Sequence, residues 1–172
     1  VLEDLGQRLA PLVKRIVDTG RRPGGGILDK TYPASGQEEF GRAVLADLGF
    51  DAEAGRLDVS VHPFCLGLAR GDVRLTTRYN EKHLSDSLFG IIHECGHGLY
   101  EQGLPTEAEG TPVGTTVSLG IHESQSRLWE NMVGRSRPFW SHYFPQLQRR
   151  FEDQLSTVDV EAFYAAVNQV EA

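Results

Sequence analysis

Leu2, Leu5, Leu9, Leu12, Val13, Ile16 and Val17 recur at three- and four-residue steps, the spacing of one helix face, and Gly20 stops the run. Arg21-Arg22-Pro23-Gly24-Gly25-Gly26 then reads as a loop. Ser35, followed three residues later by Glu38, has the form of a capping box and opens a second helix burying Phe40, Val44, Leu45 and Leu48 before Gly49. After it the period changes. Arg56 to Val61 and Asp72 to Tyr79 alternate polar and apolar residues, which predicts two strands. With His62-Pro63-Phe64 and a glycine-containing turn between them, they read as a small antiparallel sheet. A helix follows from Lys82 to Gln102, ended by Gly103, and Leu104 to Pro112 is a polar loop. Thr115 to Val133 predicts another helix, closed by Gly134. Ser136 to Leu155 predicts an aromatic-rich helix broken or kinked at Pro145, and Val160, Phe163, Tyr164, Val167 and Val170 mark a terminal one.

The helix from Lys82 to Gln102 contains His93-Glu94-Cys95-Gly96-His97, an H-E-x-x-H pattern. A helix turns about 100° per residue, so His93 and His97 share a face, one turn apart, where both rings reach one metal ion. Glu94 stands about 60° round from His97, to the side of such an ion, where it can take a proton from an attacking water. Leu84, Leu88, Ile91, Ile92, Cys95 and Leu99 fall on the opposite face and read as core. The imidazole face carries Phe89, Tyr100, Gly90 and Gly96, so cover is expected there too. Burying unpaired ionisable groups is costly, which favours a metal site over a solvated, salt-bridged surface.

Composition narrows the class without changing that picture. The 172 residues suffice for one domain with a real core, and a net charge of -7 argues against a nucleic-acid partner, which needs a basic field. No apolar run is long enough to span a bilayer. Cys65 and Cys95 cannot build a multi-bridge scaffold and read as reduced thiols of a cytoplasmic protein. The aromatic residues Trp129, Phe139, Trp140, Tyr143 and Phe144 read as core, and His83 and His142 as surface.

A catalytic zinc site takes three protein ligands and leaves one position open. Glu123, on the helix that can fold back across the metal face, is the favoured third ligand, and Glu130, two turns further along the same face, stays open. Glu101 lies on the metal helix beyond reach of an ion held by His93 and His97, and Glu107 and Glu109 fall in the loop.

Three further motifs accompany H-E-x-x-H: His62-Pro63-Phe64, the D-x-R-x-T pattern Asp72-Val73-Arg74-Leu75-Thr76, and His122-Glu123-Ser124-Gln125. In this order, with Leu128-Trp129-Glu130-Asn131 and Gly134-Arg135-Ser136 after them, they resemble the carboxypeptidase Taq family of metallocarboxypeptidases along essentially the whole chain. That resemblance implies a mainly α fold, a zincin-like helical catalytic core with a short antiparallel β element ahead of the metal helix. It implies His93, His97 and Glu123 as ligands of Zn2+, with Co2+ as a substitute, Glu94 as catalytic base, and release of the C-terminal residue of a peptide substrate. His62, Asp72, Arg74, Thr76, His122 and Gln125 become candidates for substrate contacts or for orienting the ligands, with His122 or Gln125 beside Glu123. Family members are typically homodimers, so a second copy is an expected partner.

Residues 1–172 therefore read as a single-domain, catalytic-core piece of a longer enzyme, opening at Val1 already inside a helical pattern. The family's arginine-bearing motif that grips the substrate carboxylate, and a long N-terminal helical wall, are expected outside it. Two alternatives stand beside the carboxypeptidase reading. One is a metal-binding piece with little or no turnover of its own, and the other is an endopeptidase with the same two-His, one-Glu site.

Overall fold

The structure is a computed structural model that describes residues 2–20 and 26–169. The loop expected at Arg21–Gly26 and the terminal Val170 therefore lie largely outside it. Helix α1 spans Leu2–Asp18, and Gly20 ends it at φ 60°, a left-handed conformation that suits glycine. Its apolar stripe is open, with Leu5, Leu9, Leu12 and Ile16 between 45% and 54% exposed.

Helix α2 spans Ala34–Asp47. The capping box does not form, because Pro33 occupies the cap position and Ser35 is already inside the first turn. The free Ala34 amide donates instead to the Glu81 carboxylate at 3.1 Å, a tertiary substitute for the local cap. Glu38 turns to Arg42.

The β element has three strands, β1 (Gly55–Val59), β2 (Phe64–Ala69) and β3 (Asp72–Thr77), in the order β1-β3-β2. The expected antiparallel pair is thus corrected: the two alternating segments are neighbours, but β1 runs parallel to β3 with Leu57 opposite Leu75. The antiparallel partner of β3 is β2, which the pattern concealed because Phe64-Cys65-Leu66-Gly67-Leu68-Ala69 has no polar residue to alternate. Parallel neighbours need a crossover, and residues 60–71, β2 included, supply it. Leu57, Val73 and Leu75 face inward, while the ion pairs Arg56–Asp58 and Arg74–Asp72 occupy exposed positions on the sheet.

Helix α3 (Leu84–Gln102) is the spine. Leu84, Leu88, Phe89 and Ile92 enter a large cluster with Tyr32, Phe40, Trp140, Phe144, Phe163 and neighbours, and Ile91 and Cys95 enter a second one with Leu45, Phe50 and the sheet. The mainly α class and the apolar face assigned to α3 both stand.

The helix expected at Thr115–Val133 is shorter and irregular. Turns at Thr106–Ala108 and Pro112–Gly114 lead to α4 (Leu119–Arg127), which Ser118 caps by accepting the Ile121 amide at 3.2 Å. A π-helical turn, Leu128–Val133, continues it. Helix α5 (Arg137–Arg150) passes through Pro145 unbroken, and the carbonyl that loses its donor belongs to Ser141, an exposed residue. The break comes at buried Phe151, before the short α6 (Glu152–Leu155), and α7 spans Val160–Val167.

Helices α3 and α4 come into close backbone contact at Gly96. A Cβ there would lie 2.6 Å from Ser126 Cα and 2.8 Å from the Gln125 carbonyl oxygen, backbone atoms with no rotamer escape. Gly96→Ala should therefore force α4 away from α3 and cost about 1–3 kcal/mol. Gly90→Ala, whose Cβ would meet only Thr77 Oγ1 at 3.9 Å, is the control, and should be neutral or stabilising by up to about 1 kcal/mol. Thermal melts that ranked the two alike would contradict this packing.

Candidate metal centre

Helix α3 delivers His93 and His97 with ring centroids 5.0 Å apart. Because α4 crosses at Gly96, Glu123 lies over both rings, its Oε2 3.6 Å from His93 Nε2 and 3.4 Å from His97 Nε2. One donor atom from each of the three residues lies within 4.8 Å of the others. Two imidazole nitrogens and a carboxylate oxygen converging on one point fit a divalent cation with three protein ligands.

The outer ring nitrogens are already engaged. His93 Nδ1 lies 2.8 Å from Glu130 Oε2, so its hydrogen belongs on Nδ1 and the Nε2 lone pair faces Glu123. His97 Nδ1 lies 2.5 Å from His122 Nδ1, and His122 Nε2 lies 2.8 Å from Glu101 Oε1. Arg127 ties two of the acids together, donating to Glu123 Oε1 at 2.8 Å and to Glu130 Oε2 at 3.0 Å. Arg135 stacks on Phe89 with its guanidinium carbon 3.8 Å from the ring centre and comes within 3.8 Å of Glu130.

These partners set the charges. The hydrogen bond to Glu130 raises the His93 pKa, and the same bond, helped by Arg127 and Arg135, holds Glu130 below the usual carboxylate range. Burial, with His122 and His93 nearby, lowers His97. Burial pushes Glu123 up, but Arg127, His93 and Ser126 together outweigh it and the carboxyl sits low. Glu94 behaves in the opposite way. Only 6% exposed and without a paired cation among the described residues, its carboxyl is pushed up to about 7, chiefly by burial.

Glu94 and His93 open onto a cleft of about 450 Å³, whose walls include His62, Pro63, Gly90 and Arg135. A larger groove of about 930 Å³ lies along β2 and the end of α3 and meets the site only at Glu101.

Of the other sequence candidates, His62 reaches the cleft wall as an exposed side chain. Thr76 Oγ1 accepts the Phe64 amide at 3.0 Å and so fixes the turn carrying His62. Asp72 and Arg74 bond to each other, at 2.9 and 3.0 Å, and to none of the site residues. His122 turns to His97 rather than to Glu123, and the Gln125 side chain makes no hydrogen bond among the described residues. Glu123 is steadied instead by Arg127 and by Ser126 Oγ, 3.2 Å from its Oε2. Both lie at helical spacing from Glu123, a signal present in the sequence. Glu101 carried no such signal, since its partner His122 belongs to another helix.

The sequence profile of the carboxypeptidase Taq (M32) metallopeptidase family matches residues 1–172. The chain belongs to this family. Thermostable carboxypeptidase 1 of Thermus thermophilus is 50% identical over 168 residues, which are 98% of this chain but 33% of that protein. Carboxypeptidase 1 of Bacillus subtilis is 41% identical over 166 residues, again 33% of its length. A solved M32 carboxypeptidase from Deinococcus radiodurans superposes with a TM-score of 0.94 at 44% identity, covering 99% of this chain and 34% of that one. The chain thus spans about a third of the length of the family members it matches.

The raised Glu94 pKa carries a sign that stability can test. Folded, Glu94 keeps its proton up to about pH 7, whereas unfolded it releases it near the ordinary 4.5, so between these values the folded chain holds more protons. Stability of the metal-free chain from this group must therefore fall as pH rises through that window, by about 3 kcal/mol at most. Glu94→Gln should flatten that slope, read as the difference in pH-dependent Tm between the two metal-free proteins. A parent and variant with parallel pH profiles would count against a buried, protonated Glu94.

Proposed function

We propose that this chain is the metal-holding, base-bearing core of a metal-dependent carboxypeptidase, which removes the C-terminal residue of peptides. The observation that carries the reading is the convergence of His93 Nε2, His97 Nε2 and Glu123 Oε2 beside a buried Glu94. Its place in a chain matched end to end by a metallopeptidase family supports it.

His93, His97 and Glu123 would hold the ion, and zinc suits two imidazoles and one carboxylate, with cobalt accepting the same donors. When bound, the metal supplies a Lewis acid that lowers the pKa of water and polarises a carbonyl. Glu94 removes the proton of the attacking water and returns it to the leaving amine, a task for which a carboxyl near 7 is well matched. Glu130 and His122 keep the two imidazoles oriented, and Arg127 and Ser126 keep Glu123 facing them. His62, on the cleft wall, is placed to touch substrate, while Thr76 acts through the turn. Among the described residues no helix is long and apolar enough to cross a membrane. The free thiols Cys65 and Cys95 support a reducing, cytoplasmic setting.

The chain's one-third share of its relatives' length favours a second reading, metal binding with little turnover. One set of measurements separates them. With zinc or cobalt added, a peptide with a free C-terminus should lose its last residue and its amidated form should not. Glu94→Gln should keep the metal while lowering turnover by about 10²-fold or more. Stoichiometric metal without cleavage would select the second reading, cleavage of the amidated peptide an endopeptidase, and absence of bound metal would reject both metal readings.

A further inference from the structure

We propose that Glu101 is a positioning residue of the metal centre, acting on His97 through His122. The inference rests on the metal reading above and concerns how one ligand is kept in a binding-competent form.

His97 faces Glu123 with Nε2, at 3.4 Å, and His122 with Nδ1, at 2.5 Å. A neutral imidazole carries one hydrogen, and Nε2 can donate its lone pair to a cation only if that hydrogen is on Nδ1. There it points at His122 Nδ1, which must then accept. The hydrogen of His122 is consequently on Nε2, 2.8 Å from Glu101 Oε1, which is always an acceptor when ionised. One arrangement satisfies all three residues. In the reverse arrangement the His122 Nε2 lone pair would face the Glu101 carboxylate, two acceptors in contact. Glu101 thus selects the His122 tautomer, and His122 selects that of His97. His93 has the same support in one step, from Glu130.

Two neighbours confine Glu101 to this role. A Cβ at Gly67 of β2 would stand 2.8 Å from Glu101 Oε2, so the absence of a side chain there makes room for the carboxylate. On the other side the Tyr100 ring packs edge-on against His122, at 5.2 Å between centroids, and its hydroxyl accepts the Val117 amide at 3.2 Å. Among the described residues the Glu101 carboxylate makes no other hydrogen bond or ion pair.

The test is zinc affinity of the metal-free chain, by competition with a chromophoric chelator, with Co2+ absorption reporting coordination and metal-free Tm reporting the fold. Glu101→Leu should weaken zinc binding about 10- to 100-fold. Gly67→Ala, which crowds the carboxylate without removing it, should weaken it in the same direction. Glu101→Gln keeps an acceptor oxygen and should stay within about threefold of the parent, the rescue that distinguishes tautomer control from bulk charge. Nitrogen NMR of the metal-free chain should show His122 protonated at Nε2 in the parent and mixed in Glu101→Leu. Parent-like zinc affinity in both Glu101→Leu and Gly67→Ala, or equal losses in Glu101→Gln and Glu101→Leu, would overturn the proposal and leave the metal site standing. A parent chain that binds no zinc would overturn the metal reading and this one with it.

Discussion

Backbone contact between α3 and α4 is the constraint on which the site depends. Ser126 and Gln125 of α4 lie where any side chain at position 96 would have to go, so the two helix axes close to a distance that glycine alone permits. That approach sets the reach of everything around it. Glu123 can face both imidazoles with one oxygen, and His122, one residue earlier, can meet the back of His97. A wider crossing would leave two histidines on a helix and a carboxylate out of range.

Around this contact, carboxylates of one chemical type acquire different characters from position alone. Glu123 and Glu130 share Arg127 and lie beside His93, so they stay ionised below the usual range despite partial burial. Glu94, one residue from His93 on the same helix, is buried and makes no ion pair among the described residues, and burial dominates. The proposed ligand and the proposed base are thereby separated by solvation and pairing rather than by residue identity. The His93–Glu130 pair shows the reciprocity that such a contact requires, one partner shifted up and the other down.

The sheet takes part at a distance. Its inner residues Leu57, Val73 and Leu75 press on α3 through Ile91 and Cys95, so the helix is held from the face opposite its histidines. Thr76 then ties the end of β3 to the turn that brings His62 to the cleft. Of the D-x-R-x-T motif, only the threonine reaches toward the site, and Asp72 and Arg74 serve the exposed sheet surface.

Local repetition made the helical face of α3, the metal-binding spacing of His93 and His97, and the mainly α class readable from residues alone, because period and side-chain chemistry are properties of a single segment. Family resemblance favoured Glu123 over Glu130 as the third ligand, and Glu123 Oε2 lies 3.6 and 3.4 Å from the Nε2 atoms of His93 and His97. Wherever the deciding partner was remote in sequence, local signals failed. Ser35 and Glu38 had the form of a cap, yet Glu81 took that place from across the fold. β2 was hidden because neither of its faces is polar, and the direction of β1 depends on a crossover that no strand encodes. Pro145 was expected to break or kink a helix, but α5 runs through it, the carbonyl that loses its donor belonging to the exposed residue Ser141. The contacts behind the two imidazoles, Glu130 with His93 and His122 with His97, arise only when α4 and the π-helical turn after it meet α3. The sequence by itself determined which groups could bind a metal, and the tertiary structure decided which of their nitrogens are free to do so, because a hydrogen's place on an imidazole is set by the neighbour facing it.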